Sequence, residues 1–238
     1  MKKMLTIPKG LIIAMSMIGT AYADNHNWTG FYAGANAGFG LNDVQLTSQQ
    51  LGFTNPSDTC NMDSDFSTFS PGVQLGYLYQ FSNSIVAGIE SNTTFNTNQN
   101  DTMNCHSLFN SNVYDGFTFK NQMQTSIKGR LGWAQHWNKN FLPYVTAGAS
   151  FAHVGLTYQN EGGDYYSTTT TSPGWLIGAG VEWAFMKHWS LRAEYYFADY
   201  GKVVNLEIPT IYGLNDPNGN ANVNLSSNNF MVAINYWI

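Results

Sequence analysis

The chain has 238 residues, of which 11% are charged and 15% aromatic, with a net charge of -5 and a mean hydropathy of -0.23. The charged share is less than half the roughly 25% usual for soluble domains, and uncharged polar residues take its place, with 27 Asn alone against 25 charged side chains. Many aromatics and 23 Gly exclude a disordered chain, no apolar run after the N-terminus is long enough for a membrane helix, and the lack of basic clusters argues against nucleic acid as a partner.

Lys2 and Lys3 precede an apolar stretch over residues 11–18, followed by Ala21-Tyr22-Ala23. A positive start, a short apolar core and small residues before the break are expected of a secretory signal peptide, residues 1–23, cleaved after Ala23. The rest, residues 24–238, reads as one exported domain with 7 basic and 15 acidic residues.

From Trp28 onward, apolar residues recur at every second position, the mark of strands with one oily face. The first strand sets Phe31, Ala33, Ala35, Ala37, Phe39 and Leu41 against Gly34, Asn36, Gly38 and Gly40. The second sets Val73, Leu75, Tyr77, Tyr79 and Phe81 against Gly72, Gln74 and Gly76, and the third Ile85, Ala87 and Ile89 against Gly88 and Glu90. In the fourth, Ile127, Leu131 and Trp133 oppose Lys128, Arg130 and Gly132; the fifth, around residues 141–154, alternates poorly. The sixth places Trp175, Ile177, Ala179, Val181 and Trp183 opposite Gly178, Gly180 and Glu182. The seventh opposes Trp189, Leu191, Ala193, Tyr195 and Phe197 to Arg192 and Glu194, and the eighth runs through Phe230, Val232, Ile234, Tyr236 and Ile238.

Short connections at Ser82-Asn83, Asn138-Lys139-Asn140 and Met186-Lys187-His188 alternate with long polar ones at 43–66, 97–120, 157–172 and 201–225. That alternation predicts an all-β fold, an eight-stranded antiparallel up-and-down transmembrane β-barrel of the outer-membrane type, with the short turns in the periplasm. Closure follows because an open sheet edge in lipid leaves backbone groups unpaired. Trp28, Trp133, Trp137, Trp183, Trp189 and Trp237 cluster near the short-turn end and are expected to form an interfacial girdle there.

The only charges inside the spans are Glu90, Lys128, Arg130, Glu182, Arg192 and Glu194, all on the non-oily face. They sum to zero and are expected to form a lumen charge network, in a barrel whose interior side chains can just fill. Cys60 and Cys105 fall in different long loops on the same end of the barrel, whose bases lie roughly 10 Å apart. Outside the cytosol they are expected to form a disulfide. His188-Trp189-Ser190 has an H-x-S spacing, but the histidine falls in a short turn; Ser150 and His153 fall on opposite faces of a strand. No metal-ligand spacing, nucleotide loop or paired catalytic acid is visible, so neither an enzyme nor a cofactor or metal is expected.

Trp28-Thr29-Gly30-Phe31-Tyr32-Ala33-Gly34, Leu142-Pro143-Tyr144-Val145 and the terminal alternation over residues 230–238 give the chain its resemblance to the porin-like outer-membrane β-barrel domain family, which includes the OmpA transmembrane domain. The resemblance covers the whole exported chain and implies localisation in the cell outer membrane, among lipid and lipopolysaccharide. It also implies handling by the barrel-insertion machinery, which usually reads a terminal Phe where this chain has Ile238. In the OmpA barrel an inward acid–base cluster goes with a gated, very small conductance. The function expected is a structural and surface-interaction protein whose long loops meet host surface molecules. A narrow gated channel for ions or small solutes is the alternative, and an outer-leaflet lipid-modifying enzyme ranks third. No periplasmic cell-wall-binding domain is expected after the last strand.

Overall fold

The structure is a computed structural model and describes the backbone of residues 26–49, 59–97, 101–106, 114–134, 139–159, 165–208 and 219–238. The expected signal peptide lies outside these residues. Among the described residues nine strand segments occur: β1 (Gly30–Gln49), β2 (Thr59–Gln80), β3 (Ile85–Phe95), β4 (Asp101–His106), β5 (Tyr114–Trp133), β6 (Phe141–Gln159), β7 (Tyr165–Met186), β8 (Trp189–Ile208) and β9 (Gly219–Trp237). Each pairs antiparallel with its neighbours, β1 pairs with β9, and β3 pairs with β5 to close the ring. Beyond residue 95, β4 takes over the place of β3 beside β5. The barrel therefore has eight strand positions, one of them built from two segments.

The faces follow the alternation. Phe31, Phe39, Leu75, Ile89, Ile127, Leu131, Ile177 and Val232 point outward and are exposed, while the polar residues between them are buried in the lumen. The outward apolar run of β1 spans residues 31–41. Ten steps at about 3.3 Å rise and a tilt of about 40° climb roughly 25 Å, the height of the apolar band in this class.

The strands do not stop where the oily face stops. Most are 19 to 22 residues long, against the 9–11 or so that a bilayer requires. Twenty tilted residues climb about 50 Å. Large parts of the expected loops at 43–66, 157–172 and 201–225 are thus strand, and the connections are shorter than the alternation suggested. The reason is an inversion of polarity. Above the membrane band, Val44, Leu46, Val154, Leu156, Val223 and Leu225 point inward and are fully buried, while Asp43, Gln45, Asp63 and Asp65 face outward. In lipid the oily face must be outside; in water it must be inside.

Two devices produce that inversion. β1 and β9 have no register shift against one another, and their apolar residues simply change phase: Phe39 and Leu41 outward, Val44 and Leu46 inward. In β5 the apolar residues stay in phase, but a bulge between Asn121 and Met123 rotates the chain, so that Phe119 turns inward although Ile127 and Leu131 turn out.

A second apolar cluster closes the short-turn end, formed by Trp28, Tyr32, Leu78, Val86, Leu142 and Trp237 among others. It corrects the girdle expectation: Trp133 and Trp189 face outward, but Trp28 and Trp237 are 0% and 4% exposed inside the mouth. Trp137 lies outside the described residues. It also explains the poor alternation of the fifth expected strand. In β6, Leu142, Tyr144, Ala152, Val154 and Leu156 point into the barrel while Val145 and Phe151 face outward, so apolar residues occupy both faces.

Candidate functional site

Between the two apolar layers lie Glu90, Lys128, Arg130, Glu182, Arg192 and Glu194, all 4% exposed or less. The strands bring them together by simple register. Glu90 lies opposite Lys128 across the β3–β5 pair, and Glu182 opposite Arg192 across β7–β8. Three of the six ion pairs among the described residues, however, link strands that are not neighbours. Arg192 on β8 reaches Glu90 on the facing wall, and Lys128 reaches Glu194. Arg130 Nη2 lies 2.6 Å from Glu182, and its Nη1 lies 3.5 Å from Glu90. Lys128 Nζ is also 3.2 Å from Glu90, and Arg192 Nε is 4.0 Å from Glu194. Glu90 is the hub, meeting all three cations.

Several participants carry no charge, so charge on the lumen face does not mark them in the sequence. Tyr32 donates its hydroxyl hydrogen to Glu90 and accepts from Arg130 Nη1 at 2.9 Å; Tyr144 donates to Glu194. The Arg130 guanidinium lies 3.9 Å from the centre of the Tyr144 ring, a cation–π contact. Each tyrosine lies over a glycine of the neighbouring strand, Tyr32 opposite Gly76 and Tyr144 opposite Gly180. A Cβ at Gly76 would fall 2.4 Å from the Tyr32 ring, and one at Gly180 would fall 2.5 Å from the Tyr144 hydroxyl. The visible signal was a tyrosine on a lumen face beside a cross-strand glycine, legible only once register is known.

A hydrogen-bond ladder extends the cluster both ways. Ser190 Oγ and Asn235 Nδ2 donate to Glu182 at 2.6 and 2.7 Å, Trp237 Nε1 donates to Ser190 at 2.9 Å, and Gln74 Nε2 donates to Asn235 at 2.6 Å. Ser190 is therefore occupied, and His188 sits in the turn with Nδ1 at 3.0 Å from the Trp237 carbonyl. Ser150 bonds Tyr200 inside the barrel, whereas His153 bonds Thr171 on the outside. Neither His–Ser pair forms a unit. Among the described residues, no group of His, Cys, Asp and Glu is placed to hold a metal ion. The cluster can brace the wall and block the lumen, and its matched charges suit both tasks.

The model of the outer membrane protein beta-barrel domain matches residues 10–236. The chain belongs to this family. Among curated proteins it is similar to a 31 kDa outer-membrane immunogenic protein of Brucella melitensis, 29% identical over 187 residues that cover 76% of this chain and 75% of the relative. A 25 kDa outer-membrane immunogenic protein of Brucella ovis is 25% identical over 185 residues, covering 78% and 76%. Among solved structures, the outer membrane protein OprG of Pseudomonas aeruginosa is similar with a TM-score of 0.61 at 13% identity, over 91% of this chain and 99% of that one. That likeness speaks for the fold. With the family and the ring of strands, it makes this an outer-membrane protein.

The side chains of Cys60 and Cys105 lie outside the described residues. Their backbones fall near the long-loop ends of β2 and β4, opposite Ser48 and Asp115 respectively, and β2 continues alongside β4 beyond a bridge between Phe69 and Thr97. We propose the disulfide on that placement. Denatured, unreduced protein is expected to show no thiol reactive towards a maleimide, and two after reduction. Two reactive thiols before reduction would end the assignment. Because the bridge would tie neighbouring strand ends of a closed barrel, Cys60→Ser should leave the heat-modifiable band shift unchanged.

Proposed function

We propose that the protein is a sealed outer-membrane barrel whose role is to present its long-loop end to partners at the cell surface, rather than to conduct. The observation that carries this reading is the polarity inversion. The upper wall stands in water on an apolar interior of its own, lifting the loops roughly 20 Å or more above the apolar band. A channel has no need of an apolar plug in that extension, whereas a rigid pedestal does. Two apolar layers and a charge-neutral belt fill the lumen in series, which supports sealing. The role is non-enzymatic in this reading: Ser150 and Ser190 are engaged in lumen hydrogen bonds away from His153 and His188. The Brucella relatives are named immunogenic, in keeping with exposure at the surface. The partners proposed are lipid and lipopolysaccharide around the wall, the insertion machinery during assembly, and host surface molecules at the loops.

Planar-bilayer recording of the refolded protein tests the sealed state. No stepwise conductance is expected across a wide voltage range. A stable open level would replace this reading by the narrow gated channel, with the lumen charges as its gate.

A further inference from the structure

The four residues that precede β1 do not hang from the barrel; they cross its mouth. The His26 amide donates to Asn140 Oδ1 at 3.0 Å, on the turn between β5 and β6, halfway round the ring from β1. The Trp28 amide donates to Gln80 Oε1 at 3.0 Å and its indole Nε1 to the Lys139 carbonyl at 2.9 Å. Thr29 Oγ1 accepts from the Gln80 amide at 3.0 Å. The segment is thus a strap pinned on both sides of the opening, with Trp28 wholly buried under it.

His26 sits at the centre of this closure. Its ring makes edge contacts with Trp28 and Trp237, at 4.6 and 5.2 Å between centroids, and the two indoles are 5.5 Å apart. Its Nε2 is buried and has no hydrogen-bond partner among the described residues. A neutral imidazole can leave one ring nitrogen bare in an aromatic cage at modest cost; an imidazolium would bury an unpaired charged donor there. Among the described residues, the titratable and charged groups that face it are Glu182 from β7 and His188 from the β7–β8 turn, with the Lys187 backbone alongside.

We propose that residues 26–29 are an acid-released latch over the short-turn mouth of the barrel, closed while the His26 ring is neutral and freed when it takes a proton. Burial pushes the His26 imidazole below its ordinary value, Glu182 pulls the other way, and His188 adds to the lowering. A lowered value means that the closed state favours the neutral ring. Closure is therefore fully supported above the ordinary imidazole value of about 6.5 and is lost as the pH falls below it. Release would uncover Trp237, and with it Ser190 and Glu182, so the foot of the charge cluster would meet the periplasm. The latch does not depend on the surface role: it needs only the closed mouth.

The test uses the refolded full chain labelled with 5-fluorotryptophan, the Trp28 resonance being assigned by its loss in Trp28→Phe. As the pH falls from about 7.5 to about 5, across the ordinary imidazole value, the buried Trp28 signal should give way to one reached by a soluble paramagnetic quencher. In His26→Gln, which is neutral throughout, it should stay buried over the same range. A wild-type signal that stays buried overturns the latch. So does a transition that persists in His26→Gln, or one that disappears in His188→Gln. Should His26→Gln fail to fold, hydrogen exchange of the wild type decides. Protection of the His26 and Trp28 amides must fall at the lower pH while that of β1 holds, and equal protection at both pH values overturns the proposal.

Discussion

Glu90→Ala is expected to destabilise the barrel by about 3–5 kcal/mol, the usual cost of removing one partner from a buried ion pair. Glu90 meets Lys128, Arg130 and Arg192 and accepts a hydrogen bond from Tyr32. Its loss leaves three cations facing two carboxylates in a space closed above and below by apolar side chains. The two carboxylates that remain, Glu182 and Glu194, already pair with Arg130 and Lys128, so neither can take its place. The double substitution Glu90→Leu with Arg192→Leu removes one charge of each sign and is expected to lose less than the single one, since apolar replacement of a whole buried pair is often close to neutral. The urea midpoint of the folded band on an unheated gel measures both. A single variant that unfolds at the wild-type midpoint would show that the cluster braces nothing.

Phe119→Ala should cost about 3–5 kcal/mol, as for a large side chain removed from a packed core. That is an unusual expectation for a residue outside the lipid band of a membrane barrel, where loop substitutions are normally silent. Phe119 is fully buried in the upper cluster with Val154, Leu156, Val204 and Leu225. Gln45→Ala, at the same end but on the wet side of β1, should stay within about 0.5 kcal/mol of wild type. The same unfolding measurement separates them. If Phe119→Ala and Gln45→Ala unfold at one midpoint, the upper wall is not a packed extension, and the pedestal loses its support.

Much of the barrel was legible in the residues because lipid imposes a local rule. A strand that crosses the bilayer must show an apolar residue at every second position, so Phe31, Val73, Ile127, Trp175 and Phe230 mark their strands without knowledge of their neighbours. The same rule places Glu90, Lys128, Arg130, Glu182, Arg192 and Glu194 on the opposite face, in one layer.

The rule ends with the lipid. Where β1 leaves it, the apolar phase moves from Leu41 to Val44, and alternation with a single oily face ends there although the strand does not. In β6 both faces are apolar for part of its length, and alternation carried no signal. Trp28 and Trp237 read as girdle residues because tryptophan at that height usually is; only the closed mouth turns them inward. The choice of partners is the least local feature of all. Within the lipid band, sequence periodicity determined which face the side chains of most strands take. The tertiary structure alone decided that Arg192 meets Glu90 across the lumen rather than Glu182 beside it, because that distance exists only once β1 has paired with β9 and β3 with β5.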